Sequence, residues 1–294
     1  MASVFWVAVP VTILPAMAAL WYFLRRYEGA FEDARVFFSL VVGFFVGLVA
    51  VYLEFVVFQF HSAQFVAAAG EASAFVSFVA GNAFFEGGLL TVVLGLRRFR
   101  ARKDTPYYGA ALGLGFGAMW SLGFVAVNMN LAARPDYPSA AADFPGYNLV
   151  TFIAMALLPL GCILATGAMG AWVGKGSADG VLGKGWLKGA LLKMPIFLAF
   201  WLFAPSMGDG SAVVLVPAVG ALAYGLTFLV LAQVRILDRV VPPELKDLLR
   251  KSRRRSQRRE ARGEGDDTQA VPAAPPDDPI GPSILDPTAP RDRP

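Results

Sequence analysis

An all-α fold is predicted here: a polytopic transmembrane bundle of about seven helices, amino terminus outside the cytoplasm and carboxyl terminus inside. Three features carry the prediction. Of the 294 residues, 56% are hydrophobic and the mean hydropathy is +0.55. Only 16% are charged, against about 25% in soluble domains. The charge is also segregated: of 26 Lys and Arg, 13 lie from Arg235 onward, as do 11 of 22 Asp and Glu. What remains cannot cover a water-soluble globule, but it suits helices in lipid.

Seven apolar spans follow one another, at about 4–24, 36–60, 74–96, 107–131, 148–174, 187–204 and 211–234. Each approaches the ~20 residues needed to cross the hydrocarbon core. They are continuously apolar rather than alternating, so helices rather than barrel strands are expected. The sixth is short and interrupted by Lys193 and Pro195.

Orientation follows from the basic residues. Arg25, Arg26 and Arg35 follow the first span; Arg97, Arg98, Arg100, Arg102 and Lys103 the third; Lys175, Lys184 and Lys188 the fifth. The alternate connections hold Arg134 alone. The start of the chain has no basic region and no small-residue cleavage site followed by polar sequence, so no cleaved signal peptide is expected. The expected location is the plasma membrane of a bacterium or archaeon.

The fourth span carries Gly109, Gly113 and Gly117 at four-residue spacing, and the fifth carries Gly167, Gly170 and Gly174. Small residues let backbones approach closely in lipid. The stripes read either as tight helix packing or as the wall of a substrate groove.

The bundle is expected to occupy 1–240. A basic juxtamembrane helix over 241–262 begins at two prolines, has Leu245, Leu248 and Leu249 as a narrow apolar stripe, and carries Arg253 to Arg255, Arg258, Arg259 and Arg262. Such a cluster attracts anionic lipid at about 1 kcal/mol per residue. Membrane lipids, with anionic lipid at this tail, are the expected partners, together with other membrane proteins. Nucleic-acid binding needs more than charge and is not expected. The Pro- and Asp-rich segment 263–294 reads as a disordered cytoplasmic tail.

Ionisable residues inside spans are rare and expensive and point to function. Three occur: Glu54 in the outer part of the second span, Glu86 near the middle of the third, and Lys193 in the inner half of the sixth. Glu86 shares a helix face with Asn82, four residues earlier. It reads as a protonated carboxyl or as the partner of Lys193, which could otherwise snorkel to the inner surface. Glu54 and His61, seven apart, read as interfacial hydrogen-bonding groups more readily than as metal ligands. With one Cys (Cys162) and one His (His61) in the chain, neither a disulfide nor a zinc set of the usual kind can be assembled, and no metal or cofactor is expected.

The order of these features resembles the PrsW family of intramembrane proteases, which is related in pattern to the CAAX-type prenyl endopeptidases. The resemblance covers roughly residues 10–200. It rests on "ILPAMAALWYFLRRYEGAFED", then "NAFFEGGLL", the loop "RRFRARKDTPYYG", the Gly-rich "GLGFGAMWSLGF", and "CILATGAMG" with Thr166 and Gly170, while "LLKMPIFLAFW" falls where a last His-bearing helix is expected. The family pattern implies paired glutamates, of which Glu86 alone remains, between Phe85 and Gly87. It implies a Glu and an Asn where Trp120 and Ser121 stand, a His where Cys162 stands, and a second His near Met194 or Pro195. A proteolytic site needs carboxylates and imidazoles to hold a metal or activate water, and one carboxylate cannot do both.

The resemblance therefore implies a protease-like scaffold without proteolysis, acting as a membrane binding or regulatory protein, with Glu86 the only retained catalytic candidate. Two alternatives stand beside it. An active divergent protease would use Glu86 as general base with Ser121 or Cys162 nearby. A small transporter or channel would line a polar path with Glu54, Glu86 and Lys193.

Overall fold

The structure, a computed structural model, describes residues 2–27, 29–58, 63–132, 149–206 and 212–241. The chain divides into two units, Met1–Lys246 and Asp247–Pro294, and every described residue lies in the first. His61, Arg134, the basic cluster Arg253–Arg262 and the 263–294 tail lie outside the described residues, as does nearly all of the juxtamembrane helix expected over 241–262.

The described residues form an all-α bundle: α1 (Ala2–Arg26), α2 (Asp33–Phe58), the short α3 (Ala63–Ala69), α4 (Glu71–Leu94), α5 (Thr105–Ala132), α6 (Leu149–Ala178), α7 (Leu182–Ser206) and α8 (Ala212–Val240). Among them, six helices are long and apolar enough to cross a membrane, and α1 adds a shorter apolar stretch, Ala8–Tyr22. The helical spans α2, α4 and α8 each contain one π-helical turn, at Leu53–Phe58, Ser77–Gly81 and Gln233–Leu237.

α5 and α6 are the centre. Of their apolar windows, 83% and 78% are buried, against 28–44% for the other spanning helices. α2 and α1 pack on α5, α8 and α7 pack on α6, and α4 reaches the core mainly through α7. The outer helices turn Phe37, Phe45, Leu48, Val216, Val219 and Val230 outward, where lipid replaces water as solvent.

The glycine stripes explain the central pair. A Cβ built on Gly109 or Gly170 would overlap the other's carbonyl, and one on Gly113 would overlap the Thr166 carbonyl. The stripe thus meets the facing helix backbone directly, and the groove it could have lined is filled by α6. α2 uses the same device: side chains on Gly43 or Gly47 would strike the backbone of Leu112 or Phe116.

The sixth span extends further than its hydropathy suggests. α7 starts at Leu182 rather than near 187. Lys184 and Lys188 sit in its first turns, where long stems let the charge reach the surface. Gly185 packs against Gly176 and the Trp172 carbonyl of α6. The turn before it is a Schellman motif: Gly180 has φ +74°, its N–H donates to Ser177 O, and Val181 N–H donates to Gly176 O at 2.8 Å. α7 also runs through Pro195, which cannot donate to the preceding turn. The Tyr224 hydroxyl of α8 donates to Leu192 O in the same turn at 2.5 Å.

The three basic connections and the end of α8 gather at one end of the bundle. Arg26 pairs with Asp238 at 3.9 Å, and Tyr27 donates to the same carboxylate at 2.6 Å. Arg102 bridges Glu32 and Asp104, and Ala101 N–H donates to Ser177 O at 3.2 Å. Burial works to raise the Asp104 carboxyl, but the donors on Arg102 and Tyr108 outweigh it and hold it below its usual 3.8. These contacts tie α1, α2, α5, α6 and α8 together where the sequence places its positive charge.

Candidate functional site

The three ionisable residues inside the spans meet in the bundle core. Glu86 comes from the middle of α4, and Lys193 from α7, which lies against it. Both side chains are 0% exposed, and Lys193 Nζ donates to Glu86 Oε2. Snorkelling of Lys193 to the surface is therefore not what happens. Its ammonium instead sits among aromatic faces, 5.1 Å from the Phe197 ring centroid, 5.6 Å from Phe116 and 5.9 Å from Trp120. Such contacts add about 0.5–2 kcal/mol each when desolvated.

Glu54 is buried inside the bundle rather than exposed on its surface. It stands in the π-helical turn at the outer end of α2, is 2% exposed, and its Oε2 accepts a hydrogen bond from Trp120 Nε1 on α5 at 2.5 Å. It is within electrostatic reach of Lys193. Trp120 links the carboxylate to the lysine, and it packs edge-on against Phe197 (5.6 Å) and Phe200 (4.9 Å) and stacks on Phe124 (5.9 Å). A signal for this bond was present in the sequence: an indole N–H in an apolar span needs an acceptor, and Glu54 is one of two carboxylates within the apolar spans.

Three acceptor oxygens in this region, Glu54 Oε1, Glu86 Oε1 and Asn82 Oδ1, are buried without a hydrogen-bond partner among the described residues. Asn82 and Glu86, one helical turn apart, are both buried, which confirms the shared face. Two carboxyl groups face one ammonium, so the cluster balances its charge only when the carboxyls together retain one proton.

The other candidate positions are sealed. Cys162 is fully buried, with its sulfur 3.9 Å from Thr166 Oγ1, and the Thr166 hydroxyl donates to the Cys162 carbonyl at 2.7 Å. Ser121 is fully buried and its hydroxyl donates to the Pro159 carbonyl at 3.4 Å. The Glu86 hydrogen bond goes to Lys193, not to Ser121 or Cys162. Among the described residues, no three His, Cys, Asp or Glu side chains come together as metal donors.

No family model, curated protein or solved structure matches this chain.

Proposed function

We propose that this multi-pass membrane protein is a PrsW-like scaffold in which the hydrolytic centre has become a structural ion pair, and that it works by binding other membrane proteins rather than cleaving them. The observation that carries this reading is the Glu86–Lys193 pair. A general base must be free to take a proton from water, and this carboxylate is fully buried and bonded to a lysine. The reading is supported by the residues at the other family positions, since Trp120, Ser121 and Cys162 are all buried and engaged within the protein. On the same reading the chain belongs in a plasma membrane, and its arginine-rich segment beyond Val241 rests on anionic lipid.

The test is hydrolysis in reconstituted vesicles. Full-length protein and Glu86→Ala are incubated with fluorogenic membrane-spanning peptides, and equal, background-level cleavage is expected. Cleavage by the parent that disappears in Glu86→Ala would overturn the reading.

A second reading, a small proton- or cation-coupled transporter, is favoured by one observation: two buried carboxyls share one lysine and leave acceptor oxygens unpaired. It predicts acidification of dye-loaded vesicles down a proton gradient, lost in Glu54→Gln and in Glu86→Gln. Flux no faster than in protein-free vesicles would exclude it.

A further inference from the structure

We infer that a pocket at the basic end of the bundle is a binding site for a phosphate-bearing group. Its volume is about 500 Å³, and three separate elements build it. The connection before α5 supplies Lys103, with Pro106 from the first turn of α5. The end of α6 supplies Lys175, Ala178 and Asp179. The end of α8 supplies Arg239, with Val240 and Val241 beside it.

Three cations therefore face one carboxylate, and that carboxylate is already taken: Lys175 Nζ lies 2.8 Å from Asp179 Oδ2, one turn along the same helix. The side chains of Lys103 and Arg239 make no hydrogen bond or ion pair with any described residue. The lining therefore carries two positive charges in excess, and an anion in the pocket would reduce their mutual repulsion.

The placement of these cations is held by the fold. Ala101 is the one described non-glycine residue with positive φ, at 60°. Such a conformation persists only where its surroundings dictate it, and here they do. Ala101 N–H donates to Ser177 O at 3.2 Å, Ser177 Oγ donates to Leu94 O at 2.6 Å, and Thr105 Oγ1 donates to Phe99 O at 2.5 Å. The connection is thereby clamped to α6, and Lys103 is delivered to the pocket. Lys103 belongs to a connection rather than to a helix C-terminus, so its position is not explained by the macrodipole. On the opposite wall, Asp238 is held by Tyr27 and Arg26, and Leu237 O accepts from Tyr107 at 2.9 Å. That anchors the last turn of α8 and leaves its neighbour Arg239 available.

The chemistry selects the ligand. Two ammonium groups and a guanidinium suit a phosphate, which a guanidinium can grip with two hydrogen bonds. Pro106, Ala178, Val240 and Val241 add apolar surface for the carbon attached to it. Basic pockets between membrane helices at this level take anionic headgroups. The phosphate can arrive on a lipid or as a soluble ion, and these two sources are separable.

The experiment uses detergent-solubilised full-length protein titrated by thermophoresis with dioctanoyl phosphatidic acid, dioctanoyl phosphatidylcholine and inorganic phosphate. Saturable binding of phosphatidic acid is expected, with Lys103→Ala/Arg239→Ala weakening it about tenfold or more. Arg97→Ala/Arg100→Ala, which removes equal charge from the same connection outside the pocket, is expected to change it by less than about threefold. Inorganic phosphate that binds and competes assigns the site to a soluble phosphate, and phosphate that does neither assigns it to lipid. Lys103→Gln alone, at an exposed position, carries the same prediction should the double variant fail to fold. Equal weakening by the pocket and control pairs, or no weakening by Lys103→Gln and the pocket pair, would overturn the proposal.

Discussion

Lys193→Met is expected to destabilise the folded bundle by about 3–5 kcal/mol, the range found when one partner of a buried ion pair is removed. Methionine matches the lysine stem in length and would fill the space among Phe116, Trp120 and Phe197. Packing loss is therefore small, and the effect isolates charge. Without the ammonium, Glu86 keeps a fully buried carboxyl with no donor among the described residues, and Glu54 stands nearby with the same sign. The reverse change, Glu86→Gln, is expected to be milder. Gln can still accept from Lys193, and Glu54 remains within electrostatic reach of the ammonium. The double variant Lys193→Met/Glu86→Gln should recover most of the loss, because an apolar or neutral replacement of both partners is often close to neutral. Reversible unfolding in mixed micelles reads all three. A Lys193→Met loss below about 1 kcal/mol, or a double variant no better than the single, would show that the pair is not what holds α4 to α7.

The second large effect is steric. Gly170→Val is expected to disrupt the α5–α6 pairing, with a loss at or above the ~1–3 kcal/mol typical of overpacking. The added Cβ would overlap the Gly109 carbonyl, which is helix backbone of α5 and has no rotamer to change. The two helices would have to separate along much of their length, and these are the most buried helices in the molecule. Gly88→Ala is the control. It lies inside α4 with nothing within 4 Å of its Cβ position, so it should be neutral or gain up to about 1 kcal/mol of helix propensity. Similar behaviour of the two variants in the same unfolding assay would mean that the close approach of α5 and α6 is not what stabilises the bundle.

How far the sequence could be read depended on the range of the property in question. Hydropathy is local, so the helical spans were legible, and their ends fell within a few residues of the observed helices except at the start of α7 and the end of α8, which runs to Val240 rather than 234. At α7, Lys184 and Lys188 masked the first turn of a helix that belongs to the bundle. The rarity of Glu54, Glu86 and Lys193 in apolar surroundings was equally local, and it marked the polar centre before any packing was known. The glycine spacing marked one face of α5 as smooth.

Which surfaces would meet was decided by the tertiary structure alone. Lipid drives no helix toward another by hydrophobicity, so pairing is settled by the fit of small residues and by which buried polar groups find partners. A single helix does not contain that information. The stripe on α5 could have lined a groove, and only α6, set against it through Gly170 and Thr166, made it a contact. Glu54 read as a hydrogen-bonding group without a named partner, and α5 supplied one in Trp120. Glu86 and Lys193, 107 residues apart, could each have been neutral, snorkelled or paired, and the packing of α4 on α7 chose the pair. The same holds at the basic end, where Lys103 and Lys175 read as separate topogenic charges along the chain, and the joining of three helix ends brought them together with Arg239 around one pocket.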